Sequence, residues 1–110
     1  MALKRVRFHG DSLERIRDFP DDVRNEAGYE LYQVQQGRDP SDWKPMSSVG
    51  PGVREIRLRD ATGAYRVIYI AAFADAVHVL HAFQKKTRKT AQHDLELATS
   101  RLRELKRGAG

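Results

Sequence analysis

Residues 65–88 read YRVIYIAAFADAVHVLHAFQKKTR, and this stretch decides the fold. Two runs rich in Val, Ile, Tyr and Phe flank a short break at Ala74, Asp75 and Ala76. Such runs bounded by turn residues predict two adjacent antiparallel strands. The second run ends in a cationic segment of Lys85, Lys86, Arg88 and Lys89, and the first carries Arg66 among apolar residues. A charge inside a buried strand is costly unless it is paired, faces a cleft or binds an anion. The stretch therefore predicts a sheet that gathers cations at one place.

Working outward, Val53 to Arg59 (VREIRLR) alternates with period two. It places Arg54, Ile56 and Leu58 on one side and Glu55, Arg57 and Arg59 on the other. The turn Asp60 to Gly63 joins it to the Tyr65 strand, so Arg57 and Arg66 become cross-strand neighbours. Leu3 to His9 reads as a further short strand. Asp11 or Ser12 starts a short helix that Pro20 ends. A second helix opens at Pro20, Asp21 and Asp22; Val23, Ala27, Leu31 and Val34 form its apolar face, and Gly37 its stop. Residues 38–52 (RDPSDWKPMSSVGPG) read as a loop, with Trp43 anchoring it by packing. Thr90 is the expected cap of a last helix whose Leu95, Ala98, Leu102 and Leu105 share one face. Its other faces carry Arg101, Arg103, Lys106 and Arg107, and residues 108–110 read as a frayed tail.

A chain of 110 residues suits one domain spanning 1–110. No apolar run reaches the roughly 20 residues needed to span a bilayer. The N-terminal MALKRVRFHGDS lacks an apolar leader core, and the sequence has no cysteine, so a cytoplasmic location without disulfides is expected. Net charge is +5, distributed as −1 over residues 1–53 and +6 over residues 54–110. A one-sided cationic excess attracts nucleic acid or an acidic protein surface.

Glycine-rich phosphate loops, metal-ligand spacings, local triad patterns and paired strand carboxylates are all missing from the sequence. No metal or cofactor is expected. What converges is a basic set: Arg57, Arg66, Lys85 and Lys86 as the catalytic candidates. Arg54, His81, Phe83, Thr87, Arg88 and Lys89 are the candidate RNA contacts. Guanidinium groups aimed at a phosphorane stabilise it as an oxyanion hole stabilises its anion. A lysine crowded by cations has a lowered pKa and can carry a proton. The bland alternatives stay open: Arg66 pairing with Glu55, and Lys85 and Lys86 as a solvated strand-end run. His78 and His81, three apart, point to opposite faces of a regular strand. An isolated Arg66 contributes nothing to folding, so Arg66→Ala is expected to remove activity with the fold intact.

The segments DWKPMSSVGPGVREIRLRDATGAYRVIY (42–69), VHVLHAFQKKTRKT (77–90), LELATSRLREL (95–105) and PDDVRNEAGYELYQVQQG (20–37) resemble a known family. They are similar to the phage-derived, HigB-like branch of the RelE/ParE toxin superfamily of type II toxin–antitoxin systems. The resemblance implies an α+β fold of order β-α-α-β-β-β-α, an antiparallel sheet with an N-terminal helical hairpin and a C-terminal helix. It implies an mRNA endonuclease acting on translating ribosomes and restrained by a cognate antitoxin, with mRNA and ribosomal RNA as its other partners. By motif position its basic site residues fall on Arg57, Arg66 and Lys86, with Lys85 adjacent. Three departures stand out. Glu55 occupies a position that is basic in RelE, no tyrosine corresponds to the catalytic one near the final helix in some members, and Ala91 follows the Lys-Thr motif where proline is common. His81, Thr87 or His93 can then serve in proton transfer. Two rivals share the resemblance or the charge: a ParE-like gyrase-binding toxin, and an RNA-binding module without activity.

Overall fold

The computed structural model describes residues 3–109. The elements in chain order are β1 (Arg5–Phe8), α1 (Ser12–Arg17), α2 (Asp21–Gln35), β2 (Trp43–Pro45), β3 (Val53–Asp60), β4 (Gly63–Ile70), β5 (Ala76–Lys85) and α3 (Gln92–Ala109). The strands make one sheet in the order β1-β5-β4-β3-β2. Helices α1 and α2 cover one face, α3 the other, which gives the class expected: mixed α+β with an N-terminal helix pair and a C-terminal helix.

The α2 face follows the sequence periodicity. Val23, Ala27, Leu31 and Val34 are buried against Ile56 and Leu58 of β3 and Tyr65, Val67 and Tyr69 of β4. Pro20 occupies the N-cap position, and Asp21 and Asp22 lie in the first turn, where the helix dipole favours acids. Gly37, at φ +84°, provides the left-handed residue after the helix end. On the other face Ala98 and Leu102 of α3, with Leu95 and Leu105 half-buried beside them, pack on Val53, Ile68, Ile70 and Leu80.

Five features depart from the sequence expectation. First, β2 lies inside the stretch read as loop and pairs antiparallel with β3, Trp43 opposite Ile56 and Lys44 opposite Glu55. A three-residue edge strand is too short to show periodicity, and its Pro45 is tolerated only because it sits at the sheet edge. Trp43 does anchor the segment, with the Arg54 guanidinium 4.0 Å above its ring. Second, the sheet is not wholly antiparallel: β1 pairs parallel with β5, across a connection that holds α1, α2 and strands β2 to β4. Third, β5 carries a β-bulge. Val79 pairs with Tyr69 and His81 with Ile68, leaving Leu80 as the extra residue. Alternation therefore breaks, and His78 and His81 face the same side instead of opposite sides. Fourth, α3 starts at Gln92 with the Ala91 carbonyl receiving its first bonds, so Thr90 does not cap it. Fifth, α3 continues through Gly108 to Ala109, which the sequence reading left as tail; Gly110 lies outside the described residues.

A latch holds α3 to the sheet. Arg101 donates to the Leu80 carbonyl at 3.0 Å, to His81 Nδ1 at 3.2 Å and to Asp11 at 2.8 Å. His81 Nε2 in turn meets Asp94 at 2.7 Å. Gly10 makes room for this, at φ +55° and with space for a Cβ filled by the Arg101 guanidinium. Arg101, read from sequence as part of an outward basic face, is thus turned inward. None of the helices described is long and apolar enough to cross a membrane.

Candidate active site

Strand register assembles the basic set. On the face that α3 partly covers, Lys44 of β2 lies beside Glu55 of β3, followed by Ile68 and His81. The next row is Arg57, Arg66 and Phe83, and the one after is Arg59, Ala64 and Lys85. α3 packs over the apolar part of this face and meets its first row through Asp94. The rows of arginine and lysine form a cationic patch with Arg66 buried at 4% exposure and Arg57 and Lys85 half-buried.

Glu55 sits at the centre with no exposure. Its carboxylate is 3.4 Å from Arg66 Nε, 3.9 Å from Lys44 Nζ and 3.4 Å from the Thr90 hydroxyl, which donates to it. The pairing of Arg66 with Glu55, one of the two readings left open, is therefore present. It does not exhaust either group. Arg66 also donates to the Tyr65 carbonyl at 2.9 Å, yet its contact with Glu55 lacks hydrogen-bond geometry. Four buried side-chain polar atoms among the described residues have no hydrogen-bond partner, and three lie here: Glu55 Oε1, Arg57 Nε and Arg66 Nε. Two of these, Glu55 Oε1 and Arg66 Nε, face each other at 3.4 Å as an ion pair, and the Arg57 Nε donor beside them has no partner at all. The free guanidinium donors, set among Lys44 and Lys85, are chemically suited to an anion.

The electrostatics follow. Burial lowers the pKa of Lys85, Arg66 lowers it further, and Lys44 and Arg57 add to this against the opposing pull of Glu55. Burial also lowers that of Arg66, which Glu55 opposes; a guanidinium still stays charged. Pairing with Glu55 contradicts the premise that Arg66 is isolated, so Arg66→Ala would strand a buried carboxylate.

The remaining candidates separate. Lys86, Thr87, Arg88 and Lys89 are exposed on the connection between β5 and α3, beside the patch. Arg54 faces the opposite side of the sheet, bonded to Asp39 at 2.7 Å, and cannot join Arg57 and Arg66. His81 and Phe83, at 0% and 4% exposure, stack on each other with centroids 5.2 Å apart and present no surface to a base. Burial lowers the pKa of His81 although Asp94 raises it, so the ring is neutral at pH 7, held from both nitrogens. Sequence reasoning passed over Lys44 and Thr90 as site residues. Lys44 stood in a proline-flanked stretch without strand periodicity, and Thr90 read as a cap.

The fold has a known counterpart. A structure of the Escherichia coli toxin RelE, a double-arginine mutant in the free state, aligns with a TM-score of 0.63 at 18% identity, covering 94% of this chain and 99% of that one. This is the RelE fold. The chain belongs to the family of phage-derived proteins like Gp49 (DUF891), whose model matches residues 14–103. No curated protein matches it.

Proposed function

We propose that this chain is a toxin of a type II toxin–antitoxin system, of the HigB-like branch of the RelE/ParE superfamily, and that it cuts mRNA on translating ribosomes. The observation that carries this is the cross-strand pair of Arg57 and Arg66, whose Nε donors lack hydrogen-bond partners, within a cationic patch. A protein that only binds gyrase has no need of such a cluster on its central strands. The RelE fold and the Gp49-like family support the superfamily.

In the proposed reaction the 2′-hydroxyl oxygen bonds to the adjacent phosphorus and the bond from phosphorus to the 5′-oxygen breaks. The products are a 2′,3′-cyclic phosphate and a free 5′-hydroxyl. Arg66 and Arg57 hold the phosphate and stabilise the charge that gathers on it. Lys85, whose pKa is lowered, accepts the 2′ proton; Lys86 donates to the leaving oxygen. Arg88 and Lys89 contact flanking or ribosomal phosphates. The reaction needs no metal or cofactor. A cognate antitoxin with an acidic or amphipathic segment covers the patch, and the protein acts in the cytoplasm.

The test is induction of the chain alone in bacteria while new mRNA 5′ ends are mapped. Translation-dependent ends are expected, with about 100-fold fewer from Arg57→Ala. Arg57 is the better probe because it is half-buried and lies outside the Glu55 pair. Growth arrest without new ends would favour the gyrase binder, and absence of arrest an inactive RNA-binding module.

The role of Lys85 has its own signature. A base must be neutral to accept a proton, so the rate rises with pH below the lowered pKa of Lys85. Lys85→Arg, which cannot deprotonate, removes that rising limb. Single-turnover cleavage on stalled ribosomes between pH 6 and 9 measures this; an unchanged limb in Lys85→Arg assigns the base elsewhere.

A further inference from the structure

Among the described residues, the buried polar atom without a hydrogen-bond partner that lies outside the cationic patch is the hydroxyl of Tyr69. Tyr69 is 1% exposed and belongs to the core on the opposite face of the sheet, beneath α2. Its cross-strand partner Arg54 stands beside it on that face, out of hydrogen-bond geometry with the hydroxyl. Burial raises the Tyr69 pKa, which Arg54 opposes, so at neutral pH the hydroxyl keeps its proton and can donate. Tyr69 also lines a cavity of about 310 Å³ between the end of α2, the residues that follow it, β3 and the end of β4. Beside buried Val34, the walls carry three cations, Lys4, Arg38 and Arg54, against one carboxylate, Asp39. That carboxylate is already engaged, since Arg54 donates to it at 2.7 Å. A guanidinium has five N–H donors, so Arg54 keeps others free. Lys4 gives two of its protons to the Ala71 and Phe73 carbonyls at 2.9 and 3.0 Å and retains the third.

We infer that this cavity is a second anion site, taking a small molecule with a carboxylate or phosphate group. The Tyr69 hydroxyl, Arg54 and Lys4 are its hydrogen-bond donors, and exposed Arg38 adds charge at the rim. The site lies across the sheet from the cationic patch and does not rest on the RNA-cleaving reading. Every group left over in the cavity donates, and an anionic oxygen accepts several such bonds at once. A cation would meet like charge, and an apolar molecule would leave the donors without acceptors. The volume is at the lower end of the range for ligand pockets, which suits a metabolite-sized molecule. In the free chain the hydroxyl is shut off from water, so binding includes a shift of the Arg54 side chain from Asp39 toward the anion. A hydroxyl kept buried without a partner is costly to the free chain, and the bound anion removes that cost.

Two measurements decide it. The full chain is titrated at pH 7 with methyl phosphate and, separately, with acetate, each against sodium chloride of equal ionic strength. The amide resonances of Gly37, Arg38, Asp39 and Gly52 should move and saturate with at least one of the two, and which one does so identifies the anionic group. Tyr69→Phe, which removes only the hydroxyl, should weaken that binding about tenfold. Movement confined to Arg57, Arg66 and Lys85, or no movement with either probe, overturns the site, as does an affinity that Tyr69→Phe leaves unchanged. The second measurement needs no ligand. Because the hydroxyl has no partner in the free chain, the urea midpoint of Tyr69→Phe should equal or exceed that of the parent. A lower midpoint would show that the hydroxyl is already satisfied within the free chain, which overturns the inference.

Discussion

Arg66→Ala is expected to lower cleavage by about 100-fold or more and to cost about 3 kcal/mol of stability at the same time. The two effects share one cause. Arg66 is 4% exposed, and its partner Glu55 is fully buried. Removing one member of a buried ion pair leaves the other charge desolvated without compensation, which is the expensive case. Lys44, 3.9 Å from Glu55 and 43% exposed, compensates in part, which places the loss at the lower end of the range for such pairs. Replacing both members, as Arg66→Ala/Glu55→Gln, removes the stranded charge and should recover most of the stability but none of the cleavage. Urea unfolding of the four proteins in this cycle, beside their cleavage rates, separates the terms. If Arg66→Ala were as stable as the parent, Glu55 would be held by Lys44 and Thr90 alone, and Arg66 would be purely a ligand for the anion.

Arg101→Ala is expected to cost a further class of stability, about 3 kcal/mol, without touching the patch. The side chain joins three elements through the Leu80 carbonyl, the His81 ring and the Asp11 carboxylate. Bonds from a charged donor contribute about 1.5–3 kcal/mol each when partly buried, and the loss leaves two acceptors on β5 unsatisfied. Asp11 is held at a pKa of about 2 by Arg15 and Arg101, so one of its two anchors goes as well. Acid should weaken the His81 end of this latch and the separate contact of His9 with His78. Burial lowers the pKa of His81 and of His9 below the ordinary 6.5, so the folded chain binds fewer protons than the unfolded one in the window below that value. Stability then rises with pH through that window and falls as the solution is acidified below about 6.5. Urea midpoints at pH 7.5, 6.5 and 5.5 test this. An Arg101→Ala midpoint within about 0.5 kcal/mol of the parent would show that apolar packing of Ala98 and Leu102 alone retains α3.

The chain's order of helices and main strands was legible because each carries a local period. Val23, Ala27, Leu31 and Val34 recur as a helix face and are buried as one. The Asp60 to Gly63 turn sets the β3–β4 register, and that register alone makes Arg57 and Arg66 partners. Charge counting then located the patch, since a cation in a buried strand needs a reason. Much of the rest depended on contacts distant in sequence. The bulge at Leu80 reverses the facing of His78 relative to His81, and no local residue type announces it. Parallel pairing of β1 with β5 joins segments about 70 residues apart. Lys44 becomes a site residue only when β2 adds to the sheet edge, and Arg54 leaves the site because its face meets Asp39 and Trp43.

The sequence by itself determined the class of fold, the hairpin and the identity of the central cations, since these depend on period, turn chemistry and the cost of a charge in an apolar strand. Only the tertiary structure decided which cations lie together, that Glu55 lies at their centre, and that Arg101 turns inward as a latch. Those outcomes are set by register across strands and by the packing of α3, where residues far apart in the chain compete for the same buried space and the same hydrogen bonds.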